Sequence, residues 1–168
     1  GVTEIVSPLV DIRSRLVNQA ENELFTVRAD LPAYWRAAAL PEFDGEQWTL
    51  PETILDDVDE SANAPAAGSV TNEQLVTILG LEGALVPAAA EPVRAEGPGL
   101  GFNALTQTLV KTTSELDDGD IYSVVSAMPR FTAEQLRAAT ADSPPDSTFV
   151  ELPDDLPAIV NTTANEVT

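Results

Sequence analysis

From Glu23 to Met128, short runs that alternate apolar and polar residues are cut about every 8–12 positions by turn-forming sequence. That rhythm constrains the fold more than any other feature, because alternation with period two gives a strand one inward and one outward face. Phe25, Val27 and Ala29 fall on one face, with Leu24, Thr26 and Arg28 on the other. The run from Ala33 to Leu40 includes Tyr34-Trp35-Arg36. It is followed by Phe43-Asp44-Gly45-Glu46-Gln47-Trp48, where Asp-Gly between apolar stretches predicts a hairpin. Residues 51–69 read as a loop, holding the acidic run Asp56-Asp57-Val58-Asp59-Glu60 and then a stretch rich in Ala, Pro and Gly.

A second group of strands follows. Leu75, Thr77, Leu79 and Leu81 alternate with Val76 and Ile78, and a short run stands at Leu85-Val86. Pro87, Pro92, Gly97, Pro98 and Gly99 then break the chain repeatedly. Thr108 to Thr112 reads as another strand, and Asp117-Asp118-Gly119-Asp120 turns into Ile121 to Met128, where Tyr122, Val124 and Met128 share a face. The expected fold class is mainly β: a β-sandwich-like domain over residues 21–130 with two short C-terminal helices, preceded by a lead-in segment over residues 1–20. In the last part, Thr132 can cap a helix, Gln135 can complete a capping box and Phe131 can staple against Leu136, with Ser143-Pro144-Pro145 as the stop. A second helix is expected from Asp154 or Asp155, with Leu156, Ile159, Val160, Thr163 and Val167 at helical spacing. Its apolar face has no evident partner in the sequence, so residues 131–168 read as a helical linker into a further domain.

The chemistry is bounded by what is missing. The chain has no histidine and no cysteine. That excludes a Ser-His-Asp triad, a Cys-His pair, a zinc finger and a disulfide framework. Lys+Arg number 8 against Asp+Glu 28, a formal net charge of -20, which repels phosphate backbones and argues against nucleic-acid binding. The sequence lacks a run of 18 apolar residues, so this segment is not expected to insert in a membrane. Its start, Gly1-Val2-Thr3-Glu4, lacks the basic and apolar regions of a signal peptide, and the chain reads as part of something longer.

Five stretches in order carry a resemblance: Ser7-Pro8-Leu9-Val10-Asp11-Ile12-Arg13, Tyr34-Trp35-Arg36, Phe43-Asp44-Gly45-Glu46-Gln47-Trp48, Leu85-Val86-Pro87-Ala88-Ala89 and Leu152-Pro153-Asp154-Asp155-Leu156-Pro157. With these the chain resembles the extracytoplasmic segment of membrane-anchored bacterial transglutaminase-like proteins, in the form common among actinobacteria. The resemblance implies membrane helices before a β-rich domain, and after it a papain-like core bearing a Cys-His-Asp triad. It also implies that residues near Leu156 to Val167 form the first helix of that core. The cysteine and histidine of that triad have no counterpart here, so no catalytic residue is carried over.

Candidate interaction residues are few. Tyr34, Trp35 and Trp48 suit a platform for a sugar or a protein, since aromatic faces with polar tips favour such partners. Equally, Trp35 and Trp48, expected on adjacent arms of one hairpin, suit the core. Arg36 can anchor a carboxylate or contact the neighbouring catalytic domain. Asp56, Asp57, Asp59 and Glu60 lack the spacing of a calcium loop and read as a solvated turn. Asp117, Asp118 and Asp120 read as a turn as well. Paired carboxylates can hydrolyse glycosides without histidine, but nothing distinguishes one pair here. The expectation is therefore a non-enzymatic module with no cofactor and no metal, tethered outside the cell membrane through its parent protein. It would position and support the parent's catalytic domain. The alternative is a module that binds cell-wall glycan or an envelope protein through exposed aromatics.

Overall fold

The computed structural model describes residues 23–45, 48–50, 55–56, 68–139, 147–153 and 156–167. The lead-in segment, the Ser7 to Arg13 stretch, Asp57, Asp59, Glu60 and the Asp154–Asp155 pair lie outside these residues. The described chain is mainly β, with strands β1 (Phe25–Ala29), β2 (Trp35–Arg36), β3 (Glu42–Phe43), β4 (Trp48–Thr49), β5 (Val70–Ile78) and β6 (Leu85–Val86). These are followed by β7 (Ala88–Ala89), β8 (Pro92–Glu96), β9 (Leu100–Asn103), β10 (Thr108–Lys111) and β11 (Ile121–Met128). Two short helices, α1 (Ala133–Ala138) and α2 (Ala158–Val167), come last.

The strands form a four-stranded sheet in the order β1-β5-β11-β8, a three-stranded sheet in the order β6-β10-β9, and the pairs β2-β7 and β3-β4. At its centre β5 and β11 pair antiparallel along their full overlap, from Ile121 opposite Thr77 to Met128 opposite Val70. Both larger sheets feed one core: Val76 and Ile78 from β5, Tyr122 and Val124 from β11, Phe102 from β9 and Leu109 from β10. Burying such side chains is the main favourable term in a domain of this size, about 1.5–3 kcal/mol each. One polar group joins them: the Tyr122 hydroxyl donates to the Pro87 carbonyl at 2.8 Å, and burial pushes its pKa well above the ordinary value. Tyr122→Phe, which leaves that buried carbonyl without its donor, is expected to cost about 1–2 kcal/mol in urea unfolding.

Several sequence expectations change in detail. The alternation around Val76 and Ile78 has the right period, but the inward face of β5 continues to Asn72 and Gln74, and Leu75 is exposed. Tyr122 and Val124 are buried on β11, while Met128 is half-buried. The Pro- and Gly-rich stretch from Pro87 to Gly99 carries β7 and β8 and leads into β9 rather than only breaking the chain. Pro92 is tolerated because it opens an edge strand, where a missing N–H costs little, and the β8–β11 register shifts beside it between Val125 and Ser126. The Asp-Gly hairpin forms as β3-β4, with Phe43 opposite Trp48. Trp35 and Trp48 do not share it, however: Trp35 pairs with Ala89 across β2-β7. The capping box of α1 is present, with Gln135 N–H donating to Thr132 Oγ1 at 3.1 Å and Thr132 N–H to Gln135 Oε1 at 2.8 Å. The second helix starts at Ala158, later than expected, because Pro157 disfavours helical backbone at Leu156 and lacks a donor of its own.

Candidate functional site

Trp35 and Arg36 owe their position to β7, and β7 is held by side chains rather than by a long ladder. The Ala89 N–H donates to Gln74 Oε1 at 2.8 Å, and the Ser126 hydroxyl donates to the Ala89 carbonyl at 3.0 Å. Gln74 Nε2 donates in turn to Ser126 Oγ at 2.9 Å. Nearby, the Asn72 carboxamide accepts from the Leu31 N–H at 3.0 Å and donates to the Leu31 carbonyl at 3.2 Å. These side chains copy the hydrogen bonds that a neighbouring strand would have made.

Against this frame Arg36 is a clamp. Its Nη2 donates to the carbonyls of Thr106 at 3.3 Å and Gln107 at 3.2 Å, holding a turn in which Gln107 adopts a positive φ of 52°. Burial lowers the Arg36 pKa, and the negative charge of Glu91 partly opposes that shift. Trp35 is half-buried, and its indole N–H is sealed from solvent with no hydrogen-bond partner. Tyr34, beside them, is 98% exposed. Of the three contiguous residues, only Tyr34 is fully presented to solvent.

Trp48 belongs to a different strand pair, β3-β4. It is 49% exposed and stacks on Phe43 with ring centroids 4.9 Å apart and planes inclined by 30°. The hairpin between them turns at Gly45, whose φ of 103° suits glycine and whose Cα lies so near the C-terminal segment that a Cβ there would sit 4.0 Å from Pro153 Cγ. Between this hairpin and the strap that follows α1 lies an open cavity of about 300 Å³. Glu42, Phe43 and Asp44 line one side, and Thr148 and Glu151 to Pro153 line the other. Sequence reasoning did not find this cavity, because its two walls are separated by a hundred residues and no periodicity links them.

The remaining candidates have structural roles. Asp120 accepts from Lys111 Nζ at 2.8 Å and from the Asp117 N–H at 3.2 Å, fixing the turn before β11. Asp56 makes a two-way backbone bridge with Phe102, N–H to carbonyl at 2.9 and 3.2 Å. Among the described residues, no three acidic side chains are grouped so as to hold a metal ion, and no helix is long and apolar enough to cross a membrane.

The chain beyond β11 has a surface of its own. Neither α1 nor α2 buries a single side chain, and Phe131, Leu136, Val150, Leu152, Ile159 and Val167 are all exposed. Residues 1–133 match the family described as the TgpA N-terminal domain. Among curated proteins and among solved structures, none matches the chain.

Proposed function

Because the chain belongs to the TgpA N-terminal domain family, a domain of transglutaminase-like proteins that is not their catalytic core, we propose that it positions and supports the catalytic domain of its parent protein. The observation that supports this reading is the exposed apolar surface of the C-terminal helices. Isolated helices as short as α1 and α2 gain little from propensity alone and take their stability from packing. A module with a packed β core and helices that bury none of their side chains is suited to be completed by a neighbour. In this reading the module stands outside the cell membrane, in an envelope protein of the actinobacterial type, and acts as a spacer stiffer than a flexible linker.

The test is a tryptophan-fluorescence titration of the chain with the parent's transglutaminase-like domain, made free of tryptophan. Trp35 and Trp48 are then the reporters. A saturable spectral shift is expected as the domains dock. Absence of any shift, with Trp48 as open to acrylamide in the mixture as alone, overturns the proposal.

A second reading, a binding module for cell-wall glycan or an envelope protein, is favoured by the full exposure of Tyr34 and the half-exposed Trp48. The indole N–H of Trp35 is sealed from solvent, so that atom is not available to a bound sugar. Tyr34→Ala should abolish retention on a cell-wall preparation while leaving the thermal midpoint unchanged. Unaltered retention counts against this reading.

A further inference from the structure

We propose that the cavity between the β3-β4 hairpin and the strap at Thr148 to Pro153 receives an arginine or lysine side chain from a protein partner. This inference does not rest on the positional role proposed above, since any polypeptide with the right side chain would meet the same walls.

The cavity joins two kinds of surface. Phe43, Leu152 and Pro153 supply apolar wall, while Glu42 and Glu151 supply exposed carboxylates. Long basic side chains have the complementary build, with an apolar stem and a charged tip. Size agrees: ligand sites generally span about 300–1,000 Å³, so a cavity of about 300 Å³ is at the small end and suits one inserted side chain. Phe43, braced by its stack on Trp48, is the aromatic residue of the lining, and an aromatic ring attracts a guanidinium or ammonium group electrostatically.

Charge points the same way. With a net charge of -20 the whole surface attracts cations, and this cavity combines that field with a wall that can shed water. A small metal ion fits less well, because no metal-competent group of acids occurs among the described residues. A guanidinium needs only one well-placed carboxylate, which its planar fork meets with two parallel hydrogen bonds. Leu152 lines the cavity and is 58% exposed, so the partner side chain is expected to be flanked by apolar residues.

The test uses the full chain, labelled with nitrogen-15, and a capped hexapeptide carrying one arginine between leucines. Its control is the same peptide with citrulline, the neutral analogue, in place of arginine. Amide shifts are expected to saturate at Phe43, Asp44, Thr148, Glu151 and Leu152, while core amides such as Val76 and Val124 stay still. The citrulline peptide should bind about tenfold more weakly, and Glu42→Gln or Glu151→Gln should each weaken the arginine peptide several-fold. Both positions are exposed, so the variants keep the fold, and unchanged core amides verify it. Equal binding of the citrulline peptide, no saturation by about 10 mM, or shifts confined to another surface overturns the proposal. So does displacement of the peptide by calcium alone with shifts at the same amides, which would assign the carboxylates to a metal.

Discussion

Replacing Asp120 by asparagine is expected to lower the unfolding free energy by about 2 kcal/mol, chiefly through what it leaves behind. The Lys111 side chain is only 7% exposed and that of Asp120 27%, with 2.8 Å between ammonium and carboxylate. Lys111 ends a strand whose four residues are all buried, so its charge has little water to fall back on. An asparagine oxygen can still accept hydrogen bonds but cannot balance the charge. Urea unfolding at neutral pH should show a lower midpoint with an unchanged slope. Acid provides a second check. Asp120 is held below the ordinary aspartate pKa, first by the Lys111 hydrogen bond and then by the Asp117 N–H. Its folded state therefore binds a proton less readily than its unfolded state. The stability it contributes is complete above the unfolded pKa and disappears as pH falls from there through the folded pKa. The parent chain should lose stability below about pH 4 more steeply than D120N. Parallel acid limbs would show that Asp120 is not the group responsible.

Gln74→Leu is expected to cost more, near 3 kcal/mol, although leucine is of similar size and more apolar. The loss is not one of volume. Leucine leaves the Ala89 N–H without an acceptor and the Ser126 hydroxyl without its donor, both in a region closed to solvent. The network is small enough to test as a unit. In a double-mutant cycle, adding Ser126→Ala to Gln74→Leu should cost less than the two single losses combined, because Ser126 has already lost its partner. Simple additivity in thermal or urea unfolding would mean that the two side chains act independently. Since β7 pairs with β2, the same variant should also change the fluorescence of Trp35.

Why some of this was legible in sequence and some was not follows from how far each signal reaches. The Asp-Gly turn, the capping box of α1 and the alternation around Val76 depend on residues within a few positions of one another, and all three are found in the structure. The extra strands between Pro87 and Asn103 were masked by their own punctuation. Proline and glycine mark turns in a single chain, and only the partner strands show that Pro92 starts an edge. Asn72 and Gln74 were missed because a polar residue on an inward face looks like a break in the pattern until its backbone partners are known. Arg36 suits a carboxylate on sequence grounds; in the structure it feels the charge of Glu91 and also holds two carbonyls about seventy residues away, which no local signal announces. The cavity lies furthest from any local signal, since it exists only where Gly45 and Pro153 approach.

The order β1-β5-β11-β8 also bears on how the protein comes into being. No two neighbours in that sheet are neighbours in sequence, so no tight hairpin can start it. Each pairing requires the closure of a loop of tens of residues before any contact repays it, which is the regime of slow folding, milliseconds to seconds. During synthesis β5 waits, its Val76 and Ile78 unpaired on one flank, until β11 emerges from the ribosome. Throughout that interval a bare strand edge is open to the wrong partner, a hazard that peaks in the unfinished chain and ends when Met128 settles opposite Val70.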